Sequence, residues 1–229
     1  MKKLVSLSML LVMSFSLYAQ QRDVTRFLGI PVDGSKKDMI QKLKAKGFES
    51  TSDPDILEGE FNGTEVEISV VTNNNKVWRI AVMDKNGSSK GDIKSRFNRL
   101  CQQFKNNSKY TPIKKDQTIP EDEDIRYEII AKDKRYQAGF YQYNSEDQAM
   151  KAAEYATSQL ASKYNQEELE NPTPEIQSEM ISLISSYISD NYSSFYNKFV
   201  WFTIRQISGE FYITIFYDNE YNHANGEDL

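Results

Sequence analysis

Between Ile56 and Met83 the chain reads ILEGEFNGTEVEISVVTNNNKVWRIAVM, three β-prone runs divided by Asn62-Gly63 and Asn73-Asn74-Asn75. Val66, Ile68 and Val70 alternate with Glu65, Glu67 and Ser69; further on, Trp78, Ile80 and Val82 alternate with Val77, Arg79 and Ala81. A period of two places one set of side chains in a core and the other in water. Asn-Gly tolerates positive φ at both central positions of a two-residue hairpin turn. The segment therefore predicts a meander with one face that needs an apolar cover.

Helical spacing on either side supplies the cover. Ser35 opens a helix with Asp38 three residues on; Met39, Ile40 and Leu43 form its apolar face, and Gly47 ends it with Phe48 folding back. A second helix, capped by Asp92, aligns Ile93, Phe97, Leu100, Cys101 and Phe104 on one side. Residues 105–124 hold two prolines and a block of charges, which reads as a long connection. Ile125–Ala131 and Arg135–Tyr143 predict a second hairpin across Lys132-Asp133-Lys134, with Ile125, Tyr127 and Ile129 on one face.

Ser145 opens a third helix, with alanines at 149, 152, 153 and 156 and Leu160 near its end. Thr173-Pro174-Glu175 starts a fourth: a capping hydroxyl, proline at the first helical position and an acid in the first turn. Ile181, Ile184, Ile188, Tyr192 and Phe195 follow on one face. Phe199–Ile207 and Glu210–Tyr217 make a last hairpin around Ser208-Gly209. Helix and strands thus alternate three times without a residue-level repeat. The fold class is α+β, antiparallel hairpins and a meander packed against helices. The boundaries drawn are 1–19, 20–144 for a helix, meander, helix and hairpin unit, and 145–229 for a helical pair plus hairpin packed on the first unit. One sheet or two lobes stays open at this level.

Residues 1–19 read as a signal peptide: Lys2 and Lys3, an apolar run from Leu4 to Leu17, then Leu17-Tyr18-Ala19 with a small residue at the cleavage point. The expectation is a periplasmic or secreted protein beginning at Gln20, with no integral membrane segment in the mature chain. Cleavage leaves 26 Lys and Arg against 33 Asp and Glu, a net charge of −7. An acidic chain with no basic tract argues against nucleic-acid binding and against adsorption to an anionic membrane. Cys101 is the single cysteine, so no intramolecular disulfide forms, and its helical spacing reads as a buried, inert thiol.

Chemistry is sparse. His223 is the only histidine and sits in the polar tail, and no glycine-rich phosphate loop is present. One Cys and one His make a zinc site improbable. Glu121, Asp122, Glu123 and Asp124 read as a solvated loop. Asp218, Glu220 and Asn222 begin with the rhythm of a calcium loop, but His223 stands where its glycine belongs. No catalytic, cofactor or metal residue is assigned. Tyr141, Tyr143 and Tyr212 alternate along strands, where exposed rings could stack on sugars or anchor a protein.

Three stretches, FLGIPVDG, EFNGTEVEISVVTNNNKV and FYDNEYNHANGEDL, resemble a group of secreted proteins of Bacteroides-type gut bacteria. The resemblance spans nearly the whole mature chain, implies an extracytoplasmic address, and brings no catalytic residues with it. The helix-then-meander layout is also similar to small outer-membrane assembly lipoproteins and to β-lactamase-inhibitor-type modules. The expected function is a non-catalytic binding or interaction module engaging a protein or a glycan. Alternatives are a carboxylate-based hydrolase of a polysaccharide, with two carboxyls about 5–9 Å apart, and an inhibitor or structural subunit of an envelope complex.

Overall fold

The computed structural model describes residues 23–143 and 145–224, so the signal-peptide reading of residues 1–19 lies outside the described residues. Strands β1 (Arg26–Phe27) and β2 (Ile30–Pro31) pair as a short ribbon. Eight further strands make one antiparallel sheet: β3 (Glu49–Ser50), β4 (Ile56–Phe61), β5 (Thr64–Asn73), β6 (Lys76–Asp84), β7 (Thr111–Pro112), β8 (Gln137–Tyr141), β9 (Lys198–Ile207) and β10 (Glu210–Asn219). The helices are α1 (Lys36–Lys44), α2 (Lys90–Lys105), α3 (Ile125–Lys132), α4 (Ser145–Leu160), α5 (Gln166–Glu170) and α6 (Pro174–Tyr196). The fold is α+β, as the pattern predicts.

The strand order is β3-β4-β5-β6-β10-β9-β8-β7. Each half is a helix followed by a four-stranded meander, α1 before β3–β6 and α2 before β7–β10, and the halves join where β6 pairs with β10. Three rounds of helix and strands thus become two, with α4–α6 inserted between β8 and β9. A division at residues 144 and 145 does not separate two sheets, because β9 and β10 complete the sheet begun by the first segment.

Three hairpin turns place both central residues at positive φ: Asn62 and Gly63, Asn74 and Asn75, Ser208 and Gly209. That twist matches the flanking strands. Lys132-Asp133-Lys134 behaves differently. Ile125–Lys132 is helix α3, not a strand: Asp124 accepts from the N–H groups of Arg126 and Tyr127, and Asp133 at φ 49° is its left-handed C-cap. Only Ile125 is buried there, while Tyr127 and Ile130 are exposed. Ser89, rather than Asp92, caps α2; Asp92 is its partner three residues on.

Helices α1 and α2 lie on the same face of the sheet. Met39 and Leu43 of α1 and Ile93, Phe97, Leu100, Cys101 and Phe104 of α2 pack on Leu57, Ile68, Val82, Ile215, Phe202 and Phe140 of the inner face. Phe97 meets Phe202 edge-on at 4.9 Å, and Phe104 stacks on Phe140 at 4.9 Å. Each buried ring of this kind contributes about 2–3 kcal/mol of transfer free energy. Gly59 is required by close approach: a Cβ there would lie 2.7 Å from the Phe48 ring.

One ion pair crosses this apolar layer. Arg96 of α2 donates to both oxygens of Asp84, at 2.9 and 2.6 Å, and to Thr64 Oγ1 at 2.8 Å; Asp84 also accepts from the Ile213 N–H at 3.1 Å. It ties α2 to the β6–β10 junction. At the far edge, the Gln117 side-chain amide bonds both the N–H and C=O of Gly139, which blunts β8 against pairing with another chain.

The polar tail is pinned as far as residue 222. Asn219 donates to Val32 O at 2.7 Å, and Asn222 donates to Asp33 Oδ1 at 2.8 Å and Val77 O at 2.9 Å. The inserted helices α4 and α6 pack mainly on each other through Ala152, Ala156, Leu160 and Ile176. The stripe read along α6 buries little, with Ile181 64% and Ile188 43% exposed; the side chains of Tyr192 and Phe195 lie outside the described residues.

Candidate functional site

The face of the sheet opposite α1 and α2 is half-exposed along most of its width. A bulge decides what it presents. Val71 pairs with Arg79 and Thr72 with Val77, which leaves Trp78 as an extra residue in β6. A bulge shifts the parity of the strand beyond it. Val77 is therefore buried with Ile80 and Val82, and Trp78 leaves the inner set in which plain alternation places it.

Arg79 is the centre of the outer face. Its Nε and Nη2 reach the two oxygens of Asp218, both at 2.6 Å, and its guanidinium lies 4.2 Å from the Trp78 ring and 4.6 Å from the Phe216 ring. Trp201 stacks on Phe216 at 4.3 Å and donates its indole N–H to Asp218 at 2.9 Å. The row continues across β9 and β8, where Tyr141 lies 5.6 Å from Phe199 and 4.7 Å from Tyr196. Both tryptophans of the chain are in this row. A cation over an aromatic face contributes about 0.5–1 kcal/mol when exposed and more when desolvated.

The other half of the same face is acidic. Glu49 stands opposite Glu58, Glu58 opposite Glu67, and Glu60 opposite Glu65. Lys85 pairs with Glu58 at 2.6 Å; that bond, with help from Glu65 and Glu67, raises the lysine's pKa. Like charges directly opposite one another on neighbouring strands destabilise a sheet by up to about 1 kcal/mol per pair. Their concentration on one face gives the surface a strong local field.

The candidate residues of the sequence scatter. Cys101 is buried against the sheet, and desolvation, with the charge of Asp116, pushes its thiol up to about 12, so it is no nucleophile at neutral pH. His223 lies against Trp78, ring centroids 4.6 Å apart, with Glu220 3.8 Å away. Burial raises the Glu220 carboxyl, and the charge of Asp218 raises it further. The calcium-like rhythm is used up otherwise: Asp218 holds Arg79 and Asn222 clasps the chain. Of the acidic run, Asp124 caps α3 and meets Lys90 at 2.9 Å, while Glu123 is bonded by Lys134 and Tyr136, so the run is not simply solvated. Tyr141 is in the aromatic row; Tyr212 is on the same face, its hydroxyl 3.0 Å from Glu210.

No alternation singles out Arg79, Asp218, Trp201 or Phe216. FVWFTI in β9 is apolar on both sides, so periodicity assigns it no outward face. The available signal in the sequence was Trp78 directly before a strand arginine. Both oxygens of Asp218 are taken by Arg79, one of them shared with Trp201, so this carboxylate is a fixed acceptor rather than an acid or base. Among the described residues no three His, Cys, Asp or Glu side chains group as metal ligands. Nor is any helix among them long and apolar enough to cross a membrane. Compared with known proteins, the chain matches no family model, no curated protein and no solved structure.

Proposed function

We propose that the protein is an extracytoplasmic, non-catalytic interaction module that binds a basic protein partner on the outer face of its sheet. The observation behind this reading is the division of that face into a rigid aromatic row centred on Arg79 and a ladder of glutamates beside it. Rigid Trp and Phe side chains on a preformed sheet lose little entropy on association, and Trp and Arg are the usual anchors of interfaces. The ladder supplies steering and selects a partner with Lys or Arg opposite it. A basic protein partner fits better than a neutral glycan, because a sugar hydroxyl can donate to a glutamate but only a cationic surface makes use of the charge of the whole ladder.

The test is retention of envelope proteins by the immobilised protein and by its Trp201→Ala variant. Trp201→Ala should weaken capture of the partner by at least about tenfold, with the far-ultraviolet circular dichroism unchanged. Rising salt should slow association. Capture that ignores Trp201→Ala, or cleavage of a polysaccharide by the purified protein, would overturn the reading.

A further inference from the structure

On the helix side of the molecule, an open cleft of about 990 Å³ runs between β1, the β4–β5 turn, the C-terminal half of α2 and the start of α4. It borders the outer face only at its rim, through Glu60 of the glutamate ladder and Tyr143, which stacks on Tyr141. Its floor is closed by Phe48, Phe61, Leu100, Phe104 and Tyr217, which are mostly buried and expose little apolar surface. Exposed Leu28 and the aliphatic stems of the longer side chains make the accessible lining mixed, apolar as well as polar.

Charge is inverted there. Arg26, Lys46, Lys109, Lys151 and Lys198 line the cleft, against the carboxylates Asp23 and Glu60, in a chain whose formal net charge is −5. Asp23 is already held by Lys198. Lys46, Lys109 and Lys151 have no ion pair among the described residues. Arg26 is set in place by its own backbone: Gln142 accepts from its N–H at 2.6 Å, donates to its C=O at 2.8 Å, and also donates to the Tyr110 hydroxyl at 3.1 Å. Burial raises the phenols of Tyr110 and of Tyr217 on the floor, so both stay neutral.

Amides fill the space between the cations. Asn62 donates to Gln103 Oε1 at 2.8 Å, the Gln103 NH₂ has no partner among the described residues, and Asn107 and Gln148 complete the rim. Amide groups both donate and accept, and so match hydroxyl groups. The volume is at the upper end of the ~300–1,000 Å³ of ligand sites.

We infer that this cleft binds an acidic oligosaccharide, its carboxylate or sulfate groups met by Arg26, Lys46, Lys109 and Lys151 and its hydroxyls by the amide rim. The test is isothermal titration of the purified protein with tetragalacturonate, a chondroitin sulfate tetrasaccharide, maltotetraose and tetraglutamate. At least one acidic saccharide should bind saturably, about tenfold or more tighter than maltotetraose and tetraglutamate. The one that binds identifies the anionic group. Affinity should fall as salt rises from about 50 to about 300 mM. Lys109→Glu with Lys151→Glu, at exposed positions, should cost about tenfold or more, as should the milder Lys109→Gln with Lys151→Gln. Trp201→Ala should leave this binding intact whether or not the outer face binds a protein. The inference is overturned if neither acidic saccharide saturates by about 10 mM. It is equally overturned if maltotetraose or tetraglutamate binds as tightly, if both lysine pairs can be changed without effect, or if Trp201→Ala abolishes binding.

Discussion

Arg96–Asp84 and Arg79–Asp218 share one bidentate form, each with a shortest contact of 2.6 Å, yet they face opposite sides of the same sheet. Arg96 projects from the buried side of α2 and makes three hydrogen bonds, two to Asp84 and one to Thr64, that seat the helix. Arg79 keeps 22% of its side chain exposed and is flanked by the Trp78 and Phe216 rings rather than by a helix. The difference lies in what covers the pair. Under a helix the pair fixes the docking of α2, since a misplaced helix would leave Asp84 charged and unpaired. On an uncovered face the same chemistry orders aromatic rings before any partner arrives.

The largest expected effect separates the two roles. Arg96→Met should lose about 3–5 kcal/mol in chemical denaturation, because it strands a buried carboxylate. Adding Asp84→Leu should recover much of that loss, since a well-packed apolar pair often replaces a buried ion pair without penalty. Failure of the double variant to recover would mean that the pair does more than hold α2. On the outer face, the Trp201→Ala variant should lose partner capture while keeping its fold, the opposite balance.

A smaller effect sharpens the contrast. Glu67→Gln removes one rung of the glutamate ladder and should stabilise the sheet by about 0.2–1 kcal/mol while weakening partner binding. Greater stability with poorer binding would mark the ladder as retained for recognition. A loss of stability would show Glu67 to be structural instead.

The smallest effects are in the pH dependence. The Glu123 carboxyl is held below its ordinary range, first by its hydrogen bond from Lys134 and then by that from Tyr136. Its contribution is present above the ordinary carboxylate pKa and is lost as pH falls through the lowered value. Glu220 is raised by burial, so its ionisation opposes folding: the cost is absent below the ordinary range and complete above the raised value. Glu220→Gln should therefore raise the melting temperature at neutral pH, Glu123→Gln should lower it, and both differences should fade near about pH 3. Thermal melts across that range check the signs.

Much of this layout is legible along the chain. The meander, the Ser35 cap, the α2 stripe and the Thr173-Pro174 helix start follow from local rules that the structure obeys. Three features are not local. Strand alternation does not say which strands pair, so the insertion of β9 and β10 between β6 and β8 cannot be read from it. Ile125–Lys132 is too short for periodicity to separate strand from helix, and Asp133 suits both a hairpin turn and a left-handed helix cap. A single extra residue, Trp78, reverses the faces of Lys76 and Val77 at the start of β6 and takes Trp78 itself out of the inner set.

The claim at the centre is that one face of the sheet meets a protein partner and the other does not. Photo-crosslinking with benzoylphenylalanine at Tyr212 or Arg205 on the outer face, and at Gln41 or Arg99 on the exposed sides of α1 and α2, tests it directly in native envelope extract. The account predicts one protein adduct from Tyr212 and Arg205 that disappears in the Trp201→Ala background, and no such adduct from Gln41 or Arg99. Adducts of equal yield from both faces, or from the helix side alone, would contradict it.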